Sequence, residues 1–142
     1  MSKKDQQKAI TGRMALAREA LMDCLILCGA SDKTGRSVVN RAYFATYYAV
    51  LGMMATSEAK TQAENEEAML AAFEKAFVAT GRIPNETGET IRKLYDLRME
   101  TEWERLGPVG MAEAKEAAEM SGRVYNAISG YLFEKGLLEE MP

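Results

Sequence analysis

The chain has 142 residues, 47% of them apolar and 27% charged, which suits one globular domain and leaves no room for a second of ordinary size. Its net charge of −3 argues against a module that binds nucleic acid through broad electrostatic attraction. The complete absence of histidine excludes Ser-His-Asp and Cys-His catalysis and imidazole metal ligands, and two cysteines are too few for a structural zinc site. We therefore expect no metal and no other cofactor.

The first predicted helix covers residues 5–28. Its apolar positions recur at spacings of three, four and seven residues: Ile10, Met14, Ala17, Leu21, Leu25 and Cys28. The polar N-terminus shows no apolar signal segment, and no run of residues has the apolar length of a membrane span. This pattern predicts a cytoplasmic protein that spans no membrane, in which Cys24 and Cys28 are free, mostly buried thiols.

The second predicted helix covers residues 35–56 and has two largely apolar sides. One side carries Val39, Tyr43, Thr46, Tyr47, Val50 and Met54. The other side carries Arg41, Phe44, Ala45, Tyr48 and Gly52. A helix that is apolar on two sides is contacted from several directions, so we expect this one to lie at the centre of the fold.

Three further helices are predicted downstream. A capping box over residues 61–64 opens the third, Thr80 and Gly81 close it, and its buried residues are Met69, Leu70, Phe73, Ala76 and Phe77. Residues 84–88 are predicted to be a turn, and the fourth helix, marked by Ile91, Leu94, Tyr95, Arg98 and Trp103, ends before Gly107 and Pro108. The last helix runs from about Ala112 to Glu134, with Gly136 as its end.

Five helices with short connections predict an all-α fold, a four-to-five helix up-and-down bundle. The bundle is expected to form one domain over residues 1–142, with its core at about residues 5–135.

Charge divides unevenly along this domain. Residues 1–60 carry nine Lys or Arg against five Asp or Glu, and residues 61–142 carry nine against 16. The basic half is suited to face an anion, and solvated helix faces are the alternative explanation.

Three segments and the last helix, with its Glu-Ala-rich start and its Tyr131-Leu132 end, resemble the HEPN family of small helical proteins in order and spacing. The resemblance covers roughly residues 10–135. Residues 36–51, RSVVNRAYFATYYAVL, resemble the signature helix of a large prokaryotic branch, which reads like Arg-Ala-Tyr-Tyr-Ala-x-Phe-His. Residues 73–84, FEKAFVATGRIP, resemble the next block of that branch. Residues 97–103, LRMETEW, stand where the branch has Leu/Ile-Arg-x-x-Ala-Asp-Tyr.

The resemblance implies a helical bundle that dimerises and belongs to a toxin–antitoxin or defence system, often beside a nucleotidyltransferase-like partner protein. Many family members are metal-independent ribonucleases whose arginine and histidine act on RNA at a dimer cleft. In this chain Arg41 matches the arginine, but Tyr48 stands where the branch has histidine, and Glu66 stands near a second histidine position. Cleavage of RNA needs a base and an acid near neutrality, and tyrosine, with a pKa of about 10, is a poor base.

Two groups of residues follow from this comparison as candidate sites. An anion or nucleotide site would consist of Arg41, Asn40, Tyr48, Arg98 and Glu102, with Arg41 and Tyr48 as the only catalytic candidates. A dimer interface would consist of Tyr43, Phe44, Tyr47 and Tyr48. The alternatives are a structural Arg41 paired with a carboxylate, an Arg98 ion pair that sets helix register, and aromatic residues that pack in the core.

Three functional hypotheses remain open at this point. The first is a catalytically degenerate HEPN-like module that forms a homodimer and binds a partner protein, a nucleotide or RNA. The second is a metal-independent ribonuclease toxin that uses Arg41 with Tyr48, helped by Asn40 or Glu102. The third is a helical-bundle interaction protein unrelated to that family.

Overall fold

The computed structural model describes residues 2–56 and 64–139, and within them the fold is all-α, with five α-helices and no strand. The helices are α1 (Lys3–Ala30), α2 (Gly35–Met54), α3 (Glu66–Phe73), α4 (Asn85–Met99) and α5 (Met111–Glu134). α3 continues into a π-helical turn at Glu74–Val78, and α4 continues into another at Glu100–Glu104. The predicted all-α helical bundle is confirmed. Over these described residues no helix combines the length and apolar character that crossing a bilayer requires.

The second helix is central, as predicted, because α2 packs against α1, α3, α4 and α5. The start of α1 meets the end of α2, where the Gln6 amide donates to the Ala55 carbonyl at 3.1 Å. The end of α1 meets the start of α2, where the Cys24 thiol donates to the Val38 carbonyl at 3.6 Å. These two helices are therefore antiparallel. The buried residues of α2 are Gly35, Val38, Val39, Ala42, Tyr43, Ala45, Thr46, Ala49, Val50, Gly52 and Met53.

The buried side of α1 differs from the prediction in its second half. Ile10, Met14, Ala17, Ala20 and Cys24 are buried, whereas Leu25, which was predicted to be buried, has 65% of its surface exposed. The cause is helical geometry: one residue after Cys24 is a rotation of about 100°, which turns Leu25 away from α2 and α5.

Both cysteines are free, as predicted, with Cys24 buried and Cys28 partly buried. Burial, reinforced by the neighbouring Cys28, raises the pKa of the Cys24 thiol to about 12. Cys24 is thus a protonated core residue at neutral pH.

The starts of α3 and α4 differ from the prediction in two details. The predicted capping box begins at Thr61, which lies outside the described residues, and the cap of α3 is Asn65, whose side chain accepts from the Ala68 amide at 2.8 Å. The segment after Pro84, predicted to be a turn, is the first turn of α4. Pro84 has a φ of −59°, and its carbonyl accepts from the Gly88 amide at 3.3 Å, so proline here initiates the helix.

Trp103, one of the residues that mark the predicted fourth helix, lies in the π-helical turn after α4, and 73% of its surface is exposed. The wider π-helical turn breaks the α-helical spacing that the residues of α4 follow as far as Met99. Thr101, in the middle of the π-helical turn, is buried instead.

The segment 105–110 connects α4 to α5 and lies against the start of α2. Arg105 donates to Glu113 at 2.5 Å and to Glu100 at 2.9 Å. Two residues after Arg105, the Gly107 carbonyl accepts a hydrogen bond from the Arg36 guanidinium at 2.6 Å. A Cβ atom at Gly35 would stand 2.2 Å from the Val109 carbonyl oxygen, so only glycine allows this approach.

We expect Gly35→Ala to lower the free energy of unfolding by about 1–3 kcal/mol, because the new methyl group forces segment 105–110 away from α2. The matched control is Gly12→Ala in the exposed middle of α1, where a Cβ atom has no neighbour within 4 Å. This control should raise the free energy of unfolding by about 0.5–1 kcal/mol through helix propensity. Urea denaturation followed by circular dichroism measures both, and equal effects of the two variants would contradict the described contact.

Candidate functional site on the second helix

A shallow groove of about 440 Å³ lies where α1, α2 and the π-helical turn after α4 meet. It is lined by Leu27, Arg36, Ser37, Asn40, Arg41 and Glu102. Three of the predicted anion-site residues, Asn40, Arg41 and Glu102, are thus brought together although Glu102 is far away along the chain. Tyr48 and Arg98 do not line this groove.

Arg41 is only partly neutralised in its surroundings. Its Nε lies 3.5 Å from Asp23 Oδ2 on α1, which is ion-pair range. The same Nε is buried, and within the described residues it makes no hydrogen bond, because the geometry toward Asp23 is poor. One third of the Arg41 side chain is exposed. The predicted carboxylate partner therefore exists, and the guanidinium still reaches solvent at the groove.

Tyr48 lies two turns along α2 from Arg41, and Phe44 lies between them. The Arg41 Cζ is 5.9 Å from the centroid of the Phe44 ring, and the Tyr48 ring centroid is 6.2 Å from that of Phe44. Tyr48 is partly buried on this side of α2. The two catalytic candidates therefore share one side of the helix, but a phenyl ring stands between the guanidinium and the phenol.

Arg98 is held by two carboxylates from different elements. Its Nη1 donates to Glu66 of α3 at 2.5 Å, and its Nε donates to Glu102 at 3.2 Å. Burial disfavours the charge of Arg98, but the hydrogen bonds to Glu66 and Glu102 outweigh that effect, so its pKa is raised. Both contacts that were considered for Arg98, the carboxylate four residues on and an acid from a neighbouring helix, are present together.

Three side chains of α2 contact this ion-pair network: Asn40 and Tyr43 through hydrogen bonds, and Tyr43 and Phe44 through their rings. The Tyr43 hydroxyl donates to Glu66 at 3.1 Å, and the Asn40 amide donates to Glu102. The Arg98 Cζ lies 4.8 Å from the centroid of the Tyr43 ring and 5.1 Å from that of Phe44, within range of cation–π attraction. The pKa of the Tyr43 phenol is raised, mainly by burial and next by the charge of Glu66.

The predicted dimer-interface residues divide into two groups. Tyr43 is fully buried within the chain, so its ring has no surface to offer a second copy, and that part of the prediction is wrong. The cause is its position over Arg98, where it stacks on Tyr47 at 5.9 Å. Phe44, Tyr47 and Tyr48 are partly exposed. The pKa of the Tyr47 phenol is also raised, mainly by burial and next by the charge of Glu66.

Sequence reasoning missed Arg36 as a groove residue and Asp23 as the partner of Arg41. Arg36 precedes Arg41 by five residues on the same helix, and this spacing was visible in the sequence. Asp23 is on another helix, and periodicity within one helix does not show which acid will reach a given arginine. Across residues 2–56 and 64–139, no three His, Cys, Asp or Glu side chains form a group that could hold a metal ion.

We expect Arg98→Met to lower the free energy of unfolding by about 1–3 kcal/mol, because it leaves two half-buried carboxylates facing each other without a cation. Arg92→Met is the matched control, since Arg92 pairs with Glu74 at 2.9 Å but is more exposed than Arg98. The control should cost about 0–1 kcal/mol. Thermal and urea unfolding measure the difference, and an Arg98 variant as stable as the control would show that the network contributes little.

Comparison with known proteins finds one similar sequence. The chain is 29% identical over 94 residues to a protein of Thermotoga maritima described as a UPF0332 protein. The match covers 66% of this chain and 68% of that relative. No protein-family model and no solved structure matches the chain. The chain is therefore similar, over about two thirds of its length, to a protein whose description names no activity and no ligand.

Proposed function

We propose that the chain is a HEPN-like helical module that binds a phosphate-bearing ligand, RNA or a nucleotide, at the α2 groove without cleaving it. The observation that carries this proposal is the incompletely paired guanidinium of Arg41 at the groove, with Tyr48 in place of a histidine on the same side of α2. Arginine presents a fixed fork of donors that matches the oxygens of a phosphate. The resemblance of residues 36–51 to the HEPN signature helix supports the same assignment.

The chemistry around Arg41 favours binding over cleavage. A ribonuclease without metal needs one group to take the 2′-hydroxyl proton and another to protonate the leaving oxygen. The chain has no histidine. Glu102, the carboxylate that lines the groove, already accepts hydrogen bonds from Asn40 and Arg98, so partners within the chain occupy both of its oxygens.

A ribonuclease that uses Arg41 with Tyr48 is the second candidate. The observation in its favour is that both side chains flank Phe44 on one partly exposed side of α2. The family resemblance implies that the arginine and the residue at the histidine position act together at a dimer cleft.

The proposal includes a homodimer in which α2 contributes to the interface. Phe44, Tyr47 and Tyr48 are partly exposed, and aromatic residues of this kind are enriched at protein–protein contacts. Leu16 of α1, with 38% of its surface exposed, adds an apolar side chain to the surface of the adjacent helix. A toxin–antitoxin or defence setting, with a nucleotidyltransferase-like partner protein, is the biological role that the family resemblance suggests for such a module.

We expect the purified protein to bind a short fluorescein-labelled single-stranded RNA, measured by fluorescence anisotropy, and to leave that RNA intact in EDTA. Arg41→Ala should weaken binding about tenfold, the equivalent of one lost charge-assisted contact of about 1.4 kcal/mol. It should also reduce the salt dependence of the affinity by about one phosphate contact. The control is Arg82→Ala, which removes an exposed arginine outside the groove.

Two results would redirect this assignment. Cleavage that survives EDTA and disappears in both Arg41→Ala and Tyr48→Phe would establish the ribonuclease instead. Binding that is equally strong in wild type and Arg41→Ala, or absent in both, would remove the α2 groove as the ligand site.

We expect light scattering after size-exclusion chromatography to give the mass of a dimer, and Tyr48→Glu to shift it to a monomer because a charge would be buried in the interface. The control is Ile26→Glu on α1, where 65% of the side chain is already exposed. A wild-type monomer, or a dimer that is lost only in the Ile26 variant, would place the interface elsewhere or exclude it.

A further inference from the structure

Arg36 is a second cation at the groove, and the segment after α4 determines where it points. Arg36 and Arg41 both line the groove, and five residues on a helix separate them by about 7.5 Å along its axis. Two cations at this spacing suit a ligand with more than one phosphate along a chain. The Gly107 carbonyl accepts one Arg36 hydrogen bond at 2.6 Å and leaves the other guanidinium donors for a ligand.

Gly107 is held in turn by a three-residue cluster outside the groove, Arg105 with Glu100 and Glu113. The Arg105 amide closes the π-helical turn on the Glu100 carbonyl at 2.8 Å. Its guanidinium binds both carboxylates, with 2.9 Å to Glu100 and 2.5 Å to Glu113. These contacts tie the end of α4 to the first turn of α5 and hold Arg105, two residues before Gly107.

Arg36, which reaches the same segment through Gly107, also acts electrostatically on Glu100. The hydrogen bond from Arg105 is the main cause that lowers the pKa of Glu100, and the charge of Arg36 acts in the same direction. Arg105 therefore occupies a carboxylate for which Arg36 is the other nearby cation. If Arg105 is removed, Glu100 loses its partner and Arg36 becomes the available one.

We propose that Arg36 binds the ligand together with Arg41, and that Arg105 is a positioning residue that keeps Glu100 away from Arg36 and presents the Gly107 carbonyl to it. This assignment rests on the proposed ligand-binding function of the groove. Arg105 itself does not line the groove, so its effect on the ligand passes through Arg36.

The test measures anisotropy of the same labelled single-stranded RNA with five variants whose folding is checked by circular dichroism. Arg36→Ala and Arg105→Ala should each weaken binding about threefold to tenfold and lower the salt dependence by up to about one phosphate contact. In the Arg36→Ala background, Arg105→Ala should have no further effect. Adding Glu100→Gln to Arg105→Ala should restore much of the affinity, because the competing charge is gone. Arg92→Ala, which breaks an ion pair away from the groove, should bind as wild type does.

The outcomes separate this assignment from the proposed function. If Arg41→Ala weakens binding while Arg36→Ala and Arg105→Ala bind as wild type does, the groove stands and the roles of Arg36 and Arg105 are wrong. If Arg105→Ala weakens binding equally with and without Arg36, Arg105 acts through general structure and the positioning role is overturned. If the wild type shows no binding that depends on Arg41, the proposed function fails and this assignment fails with it.

Discussion

The Arg98 guanidinium is the contact on which the arrangement of the helices depends. It joins three elements: Glu66 of α3, Glu102 of the turn after α4, and the rings of Tyr43 and Phe44 on α2. A cation that is this far withdrawn from water is tolerated only with its partners in place, since an unpaired charge at the same site would be costly. The network therefore restricts how far α2 can rotate about its own axis.

The rotation of α2 decides which of its side chains reach solvent. With Tyr43 turned inward over Arg98, Arg41, Phe44 and Tyr48 come to the outer side, at the border with α1. Asn40 stands between the two environments, because it lines the groove and also donates to Glu102. A charge-balanced interior and an incompletely balanced groove are thus two sides of one helix, and the groove has cationic donors to offer a ligand.

The helices were predictable from the sequence because each buries an apolar stripe long enough to show its period, as in Ala117, Val124, Ile128 and Leu132 of α5. Asn40, Arg41 and Glu102 were predicted as one site, and they do meet at one groove. Errors arose where local signals compete. Proline followed by asparagine suits a turn and a helix start equally well, and the residues after Pro84 form the helix.

Other features were beyond sequence reasoning because they depend on contacts between distant segments. Arg36 meets Gly107 across 71 residues, and nothing near either residue signals the other. The inward position of Tyr43 depends on Glu66 and Arg98, which belong to two other helices. An amphipathic pattern shows that a ring lies near the border of the core, but the depth of that ring is set by partners that the pattern does not contain.

The π-helical turn at Glu100–Glu104 gives this part of the chain an unusual sensitivity to length. Such a turn accommodates one residue more than an α-helical turn would, so deletion of a single residue there would regularise the helix while keeping its backbone hydrogen-bonded. Because the turn absorbs its extra residue locally, the chain after it would keep its direction, and the change would fall on the turn itself, which carries Glu102, the hydrogen-bond partner of both Asn40 and Arg98. A natural variant shortened by one residue at this point would keep its helices and alter the wall of the groove that Glu102 supplies.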